Sequence, residues 1–245
     1  MISPTVHIYP DPPALAQAAA ELFARQAQEA VAQRGAFWVC LSGGSTPQAL
    51  YRLLAQPPYL AGLPWGRMVF LWGDERLVPP GDPESNFGQA RALLLDPAGV
   101  TAGQALRIKG ELPAAEAVAD FEGQLRAQAD PGEDWPVPDL VLLGLGADGH
   151  TASLFPGSDP AAGAGHPALA VTGSYQGRPA GRVTLTPEFI NTARQVVFLV
   201  AGADKAAALA AALAPERDLL RRPAQRIAPP HGQVTWLVDA AAAAR

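Results

Sequence analysis

The chain contains one cysteine, and only two of its 245 residues are lysines. A single cysteine excludes an intrachain disulfide and a paired-cysteine metal site, and the apolar run FWVCL around Cys40 predicts a small core residue rather than a reactive thiol. Acidic residues outnumber basic ones, and the net charge of -5 at pH 7 provides no basic field for nucleic acid or anionic lipid. An anionic ligand therefore needs a local binding site.

Long apolar runs are also missing. No uninterrupted run could span a bilayer, and the first eleven residues lack the basic and apolar segments of a signal peptide. We therefore expect a cytoplasmic protein without membrane or nucleic-acid partners. With 49% hydrophobic and 17% charged residues, and no linker-like segment, the composition is typical of one soluble globular domain over residues 1–245. We expect a monomer or weak homo-oligomer, a state that composition does not determine.

Apolar runs bounded by glycine alternate with segments of helical periodicity, which is typical of a parallel α/β sheet covered by helices on both faces. The predicted strands are residues 36–41, 68–72, 140–143, 196–201 and 235–238, with a weaker strand at 6–9. The predicted helices are residues 13–32, 47–55, 86–95, 113–129 and 205–213.

Polar residues with glycine directly follow four of the predicted strands. SGGSTP follows Leu41, GDER follows Trp72, GLGADGHT follows Leu143 and GADK follows Ala201. Because the carboxyl ends of parallel strands meet at one edge of a sheet, the four clusters should lie together there. Their shared position predicts a ligand site.

The first cluster consists of Ser42, Gly43, Gly44, Ser45, Thr46 and Pro47. Paired glycines allow backbone amides to approach an anion, a hydroxyl of Ser45 or Thr46 could cap the next helix, and Pro47 fits its first turn. A phosphate at this positive helix end is the favoured interpretation, and an ordinary strand-to-helix turn is the alternative. The G-x-x-x-x-G-K-[ST] motif of nucleotide triphosphatases is absent.

Charged residues in three further segments are candidates for ligand contact. Lys205 follows a strand at the start of a helix, where it is either an anion ligand or a solvated surface lysine. Asp74, Glu75 and Arg76 end another strand, where they contact substrate or form an ion-pair patch that neutralises itself. Arg182, in GRVTLT, is a second phosphate ligand or a surface residue of an edge strand.

His150 is the strongest candidate for proton transfer, because it follows an Asp-Gly turn at the predicted site edge. Asp148 would orient its imidazole or form the turn. Gly144, Gly146 and Gly149 match G-x-G-x-x-G, but Pro156, Gly157 and Pro160 interrupt the helix that a dinucleotide site requires. Motifs of covalent catalysis and of metal binding are also absent, so the histidine is better suited to activating water, with no metal and no cofactor.

Several segments together resemble the 6-phosphogluconolactonases, within the group that includes glucosamine-6-phosphate deaminases and ribose-5-phosphate isomerases. They are SGGSTP, WGDER followed by SNFG, LLGLGADGHTASLFPGS, RVTLT, GADK and VTWLVD, and they extend over nearly the whole chain. The resemblance implies a modified doubly wound, Rossmann-like fold. It also implies metal-free hydrolysis of 6-phospho-D-glucono-1,5-lactone, the second step of the oxidative pentose phosphate pathway. TASLFP after the DGH turn fits the lactonases, whereas related deaminases continue toward Asn-Glu-Pro.

The expected lactonase mechanism assigns roles to most of the candidate residues. Phosphate is held by the loop of Gly43, Gly44, Ser45 and Thr46, with help from Lys205 and Arg182. His150, oriented by Asp148, takes a proton from water, and Arg76 stabilises the oxyanion. Asp74 contacts sugar hydroxyls or positions Arg76. A phosphosugar isomerase or deaminase, a nicotinamide oxidoreductase and a non-catalytic sugar-phosphate sensor are the alternatives.

Overall fold

The computed structural model describes residues 5–159, 161–173 and 177–244. Its strands, in chain order, are β1 (Thr5–Tyr9), β2 (Phe37–Leu41), β3 (Met68–Trp72), β4 (Asp74–Arg76), β5 (Leu140–Leu143), β6 (Ala168–Thr172), β7 (Gly181–Leu185), β8 (Gln195–Val200) and β9 (Gln233–Asp239). Six of them form one parallel sheet in the order β1-β9-β8-β5-β2-β3. All six predicted strands lie in this sheet; residues 68–72 and 140–143 match without a shift, and the bounds of the other four differ by one or two residues.

The order of strands reverses between β2 and β5. From β2 the chain moves outward to β3, whereas β5, β8 and β9 follow one another toward the opposite edge. Such a reversal separates the loops after the two central strands and opens a crevice beyond their carboxyl ends. The topology therefore places the loops after Leu41 and Leu143 on either side of a potential ligand site.

Helices cover both faces of the parallel sheet, as predicted. They are α1 (Pro12–Arg34), α2 (Ser45–Leu54), α3 (Tyr59–Gly62), α4 (Asn86–Ala90), α5 (Ala114–Arg126), α6 (Pro187–Ile190), α7 (Ala206–Leu213) and α8 (Ala240–Ala243). Side chains of α1, α2 and α4 pack in one apolar core, and those of α5, α6, α7 and α8 pack in the other. Among the described residues no helix is long and apolar enough to cross a membrane.

Two predicted helices differ in detail. The helix predicted over residues 86–95 is α-helical only to Ala90 and continues as a π-helical turn, Arg91–Leu95. The helix predicted over residues 205–213 is preceded by a 3₁₀ turn, Ala203–Lys205, and α7 itself begins at Ala206. Cys40 is fully buried, as expected.

A second, antiparallel sheet was not predicted. It has three strands in the order β4-β7-β6, and Val183 and Leu185 of β7 join the core cluster that also contains Phe121 of α5. Strand β4 consists of Asp-Glu-Arg, whose charged side chains conceal the pattern of a buried strand. The sheet carries residues from the GDER and GRVTLT segments, so it bears directly on the candidate site.

Candidate active site

A cavity of about 180 Å³ opens beyond the carboxyl ends of the parallel strands. Its lining includes Ser42, Gly43, Gly44, Ser45, Thr46, Asp74, Arg76, His150, Arg182 and Lys205. These are all of the predicted site residues except Asp148, whose carboxylate is hydrogen-bonded to the His150 ring. The four polar clusters that follow separate strands in the sequence therefore border one cavity, as predicted.

The glycine loop forms the amino-terminal end of α2. Gly44 precedes the helix with φ +102°, a conformation that favours glycine, and no side chain caps the helix. The prediction that Ser45 or Thr46 caps the helix is therefore wrong, because α2 already begins at Ser45. Within the described part of the chain, the amides of Gly43, Gly44, Ser45 and Thr46 donate no hydrogen bond. Such a group of amides at a helix start suits an anion.

His150 and Asp148 form a hydrogen-bonded pair. The Nδ1 atom of His150 lies 2.6 Å from Oδ1 of Asp148, and the same oxygen accepts from the His150 amide at 3.1 Å. A carboxylate only accepts, so Nδ1 carries the proton in the neutral ring and Nε2 is the basic nitrogen. Partial burial acts to raise the pKa of Asp148, but the hydrogen bonds from His150 outweigh it and hold that pKa below its usual value.

The turn around the pair requires glycine at Gly146. A Cβ atom there would overlap the imidazole of His150 and crowd the carboxylate of Asp148. Thr151 secures the other end of the turn, because its hydroxyl donates to the Gly144 carbonyl at 2.9 Å. The imidazole therefore packs directly on the backbone of the glycine turn that leaves β5.

The Asp74-Glu75-Arg76 run divides between the two faces of β4. Side chains alternate along a strand, so Asp74 and Arg76 line the cavity, whereas Glu75 is not part of its lining. Glu75 is buried and accepts four hydrogen bonds, from the Arg76, Asn86 and Phe87 amides and the Ser85 hydroxyl. Burial raises the pKa of Glu75, and these hydrogen bonds oppose the rise. Glu75 therefore supports the start of α4 rather than a ligand.

Within the described part of the chain, the Arg76 guanidinium forms no ion pair with Asp74 or Glu75. Its Nη1 atom donates to the Glu84 carbonyl at 2.7 Å and lies 3.4 Å from the Glu84 carboxylate. The interpretation of GDER as a patch that neutralises itself is therefore wrong. Directly opposite Arg76 in the antiparallel ladder is Arg182. Like charges in this position destabilise a sheet unless an anion lies between them.

Arg182 lies on the central strand of the second sheet, so the alternative of an exposed edge-strand residue is also wrong. Its side chain is 2% exposed. The Nε atom donates to the Pro179 carbonyl at 3.2 Å, and Nη1 lies 3.8 Å from Oδ2 of Asp74. Burial, with repulsion from Arg76 among the weaker causes, lowers the pKa of the guanidinium, despite the nearby Asp74 carboxylate.

Several buried polar atoms at the cavity lack a partner within the described part of the chain. They are Nε of Arg76, Nη2 of Arg182 and the Ser42 hydroxyl. Buried donors without partners are uncommon in folded proteins because each costs free energy. Together with the four amides of the glycine loop, they suit a ligand with several anionic or hydroxyl oxygens.

Lys205 contributes a further cation to the cavity wall. Its ammonium lies 3.0 Å from the carboxylate of Asp204, and its side chain is 19% exposed. Gly202, with φ +104°, turns the chain out of β8, and its amide donates to both carboxylate oxygens of Asp239 at 3.1 Å. The GADK segment thus places its lysine at the same cavity as the glycine loop.

Sequence reasoning missed three residues at or near the cavity. Arg178 lines it and lies 3.4 Å from the Glu84 carboxylate, which also contacts Arg76. Asn86 donates to Oδ1 of Asp74 at 3.1 Å, and Ser153 donates to Oδ2 at 2.5 Å. Asn86 and Ser153 stand in the SNFG and TASLF segments, whereas nothing in the loop before Arg182 distinguished Arg178 from a surface arginine.

No group of three or more potential metal ligands from histidine, cysteine, aspartate or glutamate occurs within residues 5–159, 161–173 and 177–244. The polar groups of the cavity are mainly hydrogen-bond donors, with Asp74 as the buried carboxylate among them. This donor set suits an anionic ligand better than a metal cation.

Known proteins match the chain along nearly its full length. The family model described as glucosamine-6-phosphate isomerases/6-phosphogluconolactonase matches residues 10–236. A 6-phosphogluconolactonase of Nostoc sp. is 41% identical over 244 residues, which cover 98% of this chain and 97% of the relative. The structure of a 6-phosphogluconolactonase from Trypanosoma brucei aligns with a TM-score of 0.87 and 29% identity, covering 99% of this chain and 98% of that chain.

A monomeric glucosamine-6-phosphate deaminase aligns with a TM-score of 0.83 over 98% of both chains, but its 22% identity shows a shared fold alone. The chain belongs to the family of glucosamine-6-phosphate isomerases and 6-phosphogluconolactonases. The resemblance to 6-phosphogluconolactonases inferred from the motifs, and the modified doubly wound fold that it implied, are confirmed.

Proposed function

We propose that the protein is a 6-phosphogluconolactonase that hydrolyses 6-phospho-D-glucono-1,5-lactone to 6-phosphogluconate. The observation that carries the proposal is one cavity lined by His150, which pairs with Asp148, and by guanidinium and amide donors that have no partner within the described part of the chain. A sugar-phosphate lactone needs both, an anchor for its phosphate and a base for the attacking water. The names of the relatives support the same substrate.

In this proposal the phosphate binds at the start of α2, where the amides of Gly43, Gly44, Ser45 and Thr46 surround it. Lys205 and Arg182 supply compensating charge. Burial makes each contact stronger than it would be in water, and the positive end of α2 adds to it. The anchor fixes the lactone ring relative to His150.

His150 acts as the general base. Its Nε2 atom accepts a proton as the water oxygen bonds to the lactone carbonyl carbon, and Asp148 holds the opposite nitrogen. Arg76 stabilises the oxyanion of the tetrahedral intermediate. The bond from that carbon to the ring oxygen then breaks, and the imidazolium returns its proton to the ring oxygen as it becomes a hydroxyl. The new carboxylic acid ionises, which releases one proton per turnover.

Asp74 positions groups around this site rather than acting on water. Its carboxylate accepts from Asn86 and Ser153, and it lies near Arg182. That the chain acts as one cytoplasmic domain, as a monomer or weak homo-oligomer and without metal, cofactor or nucleic acid, stays a prediction.

The test is proton release from freshly generated 6-phosphogluconolactone, corrected for spontaneous hydrolysis. We expect the wild-type protein to accelerate release and His150→Ala to lower kcat by about 10²- to 10⁴-fold, with little change in affinity for 6-phosphogluconate. His166→Ala is the matched control, since His166 contacts Glu122 at 3.0 Å but is exposed and outside the cavity lining. A folded His150→Ala variant with wild-type turnover would refute the assignment of the base.

A further inference from the structure

Ser153 connects the histidine turn to the second sheet. It lies three residues after His150, is 1% exposed, and its hydroxyl donates to Oδ2 of Asp74 on β4 at 2.5 Å. Its amide donates to the hydroxyl of Thr184 on β7 at 3.1 Å. Both ends of this short turn are therefore fixed, because Thr151 is bonded to the Gly144 carbonyl after β5.

The residue between these two attachments has an unfavourable backbone conformation. Ala152 has φ +48°, the one positive φ of a non-glycine residue within the described part of the chain, and it lines the cavity. Side chains disfavour this left-handed region, so such a residue persists only where surrounding contacts enforce it. The buried Thr151 and Ser153 supply those contacts on either side.

We infer that Ser153 is a positioning residue, whose hydroxyl fastens the His150 turn to Asp74 and thereby fixes the imidazole relative to Arg76 and Arg182. This inference rests on the proposed function. The Oδ2 atom of Asp74 accepts the hydrogen bond from the Ser153 hydroxyl. The same oxygen lies 3.8 Å from Nη1 of Arg182. Phe155 packs against both His150 and Arg182. The centre of its ring lies 5.0 Å from the centre of the imidazole and 5.5 Å from the Arg182 guanidinium.

Loss of the hydroxyl should affect turnover more than binding. Without it, Ala152 is no longer held at positive φ and the turn relaxes, so His150 shifts relative to the bound lactone. The phosphate contacts of α2 and Lys205 do not depend on the turn, and Arg182 keeps its hydrogen bond to the Pro179 carbonyl, so the anchor should remain. A small misplacement of a catalytic group lowers the rate of the chemical step without weakening an anchor elsewhere.

Ser85 provides a matched control for Ser153. It is also 1% exposed, and its hydroxyl donates to a buried carboxylate of the same strand, Glu75, at 2.9 Å. Neither Ser85 nor Glu75 lines the cavity. Each substitution therefore removes a hydrogen bond from a buried hydroxyl to a carboxylate of β4. Ser85→Ala also removes the N-cap of α4, to which the Gly88 amide donates at 3.0 Å, so its effect on stability should be at least as large.

The experiment measures kcat, KM, the Kd of 6-phosphogluconate and Tm for both variants. We expect both to lose a few degrees in Tm, but Ser153→Ala alone to lose about 10-fold in kcat, with its Kd within about 2-fold of wild type. Unchanged kcat in Ser153→Ala, or an equal loss in Ser85→Ala, would overturn the inference. Wild-type turnover in the same assay tests the proposed function separately, because an inactive wild type refutes that function itself.

A second substitution tests the connection to backbone strain. Glycine adopts φ +48° without penalty, so Ala152→Gly in the Ser153→Ala background should restore part of the lost kcat. The kcat of Ala152→Gly alone is measured in the same assay as the reference for the double variant. A double variant no faster than Ser153→Ala would show that the hydroxyl does not act by holding Ala152.

Discussion

Two buried arginines of this protein differ in how their donors are satisfied, and the difference predicts opposite effects of one substitution. Arg226 donates to the Leu219 and Ser158 carbonyls at 2.7 and 2.6 Å and to the Ser158 hydroxyl at 3.1 Å. Arg182 donates to the Pro179 carbonyl, and its Nη2 atom has no partner in the described part of the chain. We predict that Arg182→Met weakens ligand binding without loss of stability.

Burial lowers the pKa of both arginines, so the sign of the stability effect depends on the hydrogen bonds that each guanidinium loses: one, to the Pro179 carbonyl, for Arg182 and three for Arg226. Burial is the main cause of the lowered pKa of Arg182, and the Asp74 carboxylate compensates only in part. A base whose pKa is lower in the folded protein carries its positive charge less favourably there than in the unfolded chain. Removing the charge therefore offsets the lost contact with Asp74, which at 3.8 Å is outside hydrogen-bond range. Methionine retains an apolar side chain of similar length, so the free energy of unfolding should rise by about 0 to 1 kcal/mol.

The effect on binding has the opposite sign. A charge-assisted contact between a buried guanidinium and a phosphate contributes about 1.5 to 3 kcal/mol. Its loss should raise the Kd of 6-phosphogluconate by about 10- to 150-fold. Arg226→Met should instead lower the free energy of unfolding, because three acceptors lose their donors, and should leave the Kd unchanged.

Calorimetric titration and urea unfolding of the wild type and the two variants give the required values. The reasoning about Arg182 is refuted if Arg182→Met loses more than about 2 kcal/mol of stability while the Kd stays at its wild-type value, because the guanidinium would then support the fold. Equal changes in stability and Kd in both arginine variants would show that the number of hydrogen-bond partners in the fold does not distinguish Arg182 from Arg226.

Three further predictions concern the other elements of the site. Lys205→Ala should weaken the binding of 6-phosphogluconate by about 1.5 to 3 kcal/mol and leave the poor affinity for unphosphorylated gluconate unchanged in calorimetry; equal losses for the two ligands would show that Lys205 contacts the sugar and not the phosphate. Gly146→Ala should lower kcat about 10-fold or more with little change in product Kd, because its Cβ displaces the His150 ring; unchanged kcat contradicts the packing. The stabilising contribution of Asp148 is complete above the ordinary pKa of 3.8 and is lost as pH falls through its lower folded-state value. The difference in unfolding free energy between wild type and Asp148→Asn should thus be present at about pH 5 and shrink as the pH falls below 3.8; a difference that grows below pH 3.8 would contradict the lowered pKa.

The parallel sheet was predictable because its strands carry local patterns. Leu140–Leu143 is buried along its whole length and reads as a continuous apolar run, as do the neighbouring central strands. Once these strands are placed, the edge at which their loops meet follows from topology alone. The glycine loop, His150 and Lys205 were found in this way, since each directly follows a strand of that sheet.

The second sheet was not predictable by the same means. Strand β4 is three charged residues long, and its burial depends on pairing with β7, more than 100 positions later in the chain. Alternation along a short strand says which residues share a face, but not which face is buried. Sequence reasoning therefore grouped Glu75 with Asp74 and Arg76, although Glu75 turns away from the cavity to hold the start of α4.

The pairing of Arg76 with Arg182 is the part of the site that only tertiary structure reveals, and it has a physical consequence. Neighbouring strands place two guanidiniums opposite each other, with one donor nitrogen on each left without a partner in the described residues. In the free protein both the repulsion and the missing hydrogen bonds are unfavourable. In the proposed function the phosphate contacts Arg182 and the oxyanion contacts Arg76, so the ligand would relieve both costs and gain affinity from an arrangement that does not stabilise the fold. The unpartnered donors of Arg76 and Arg182 therefore contribute favourable free energy only when a ligand binds. Selection for stability alone would not keep two arginines opposite each other in this register.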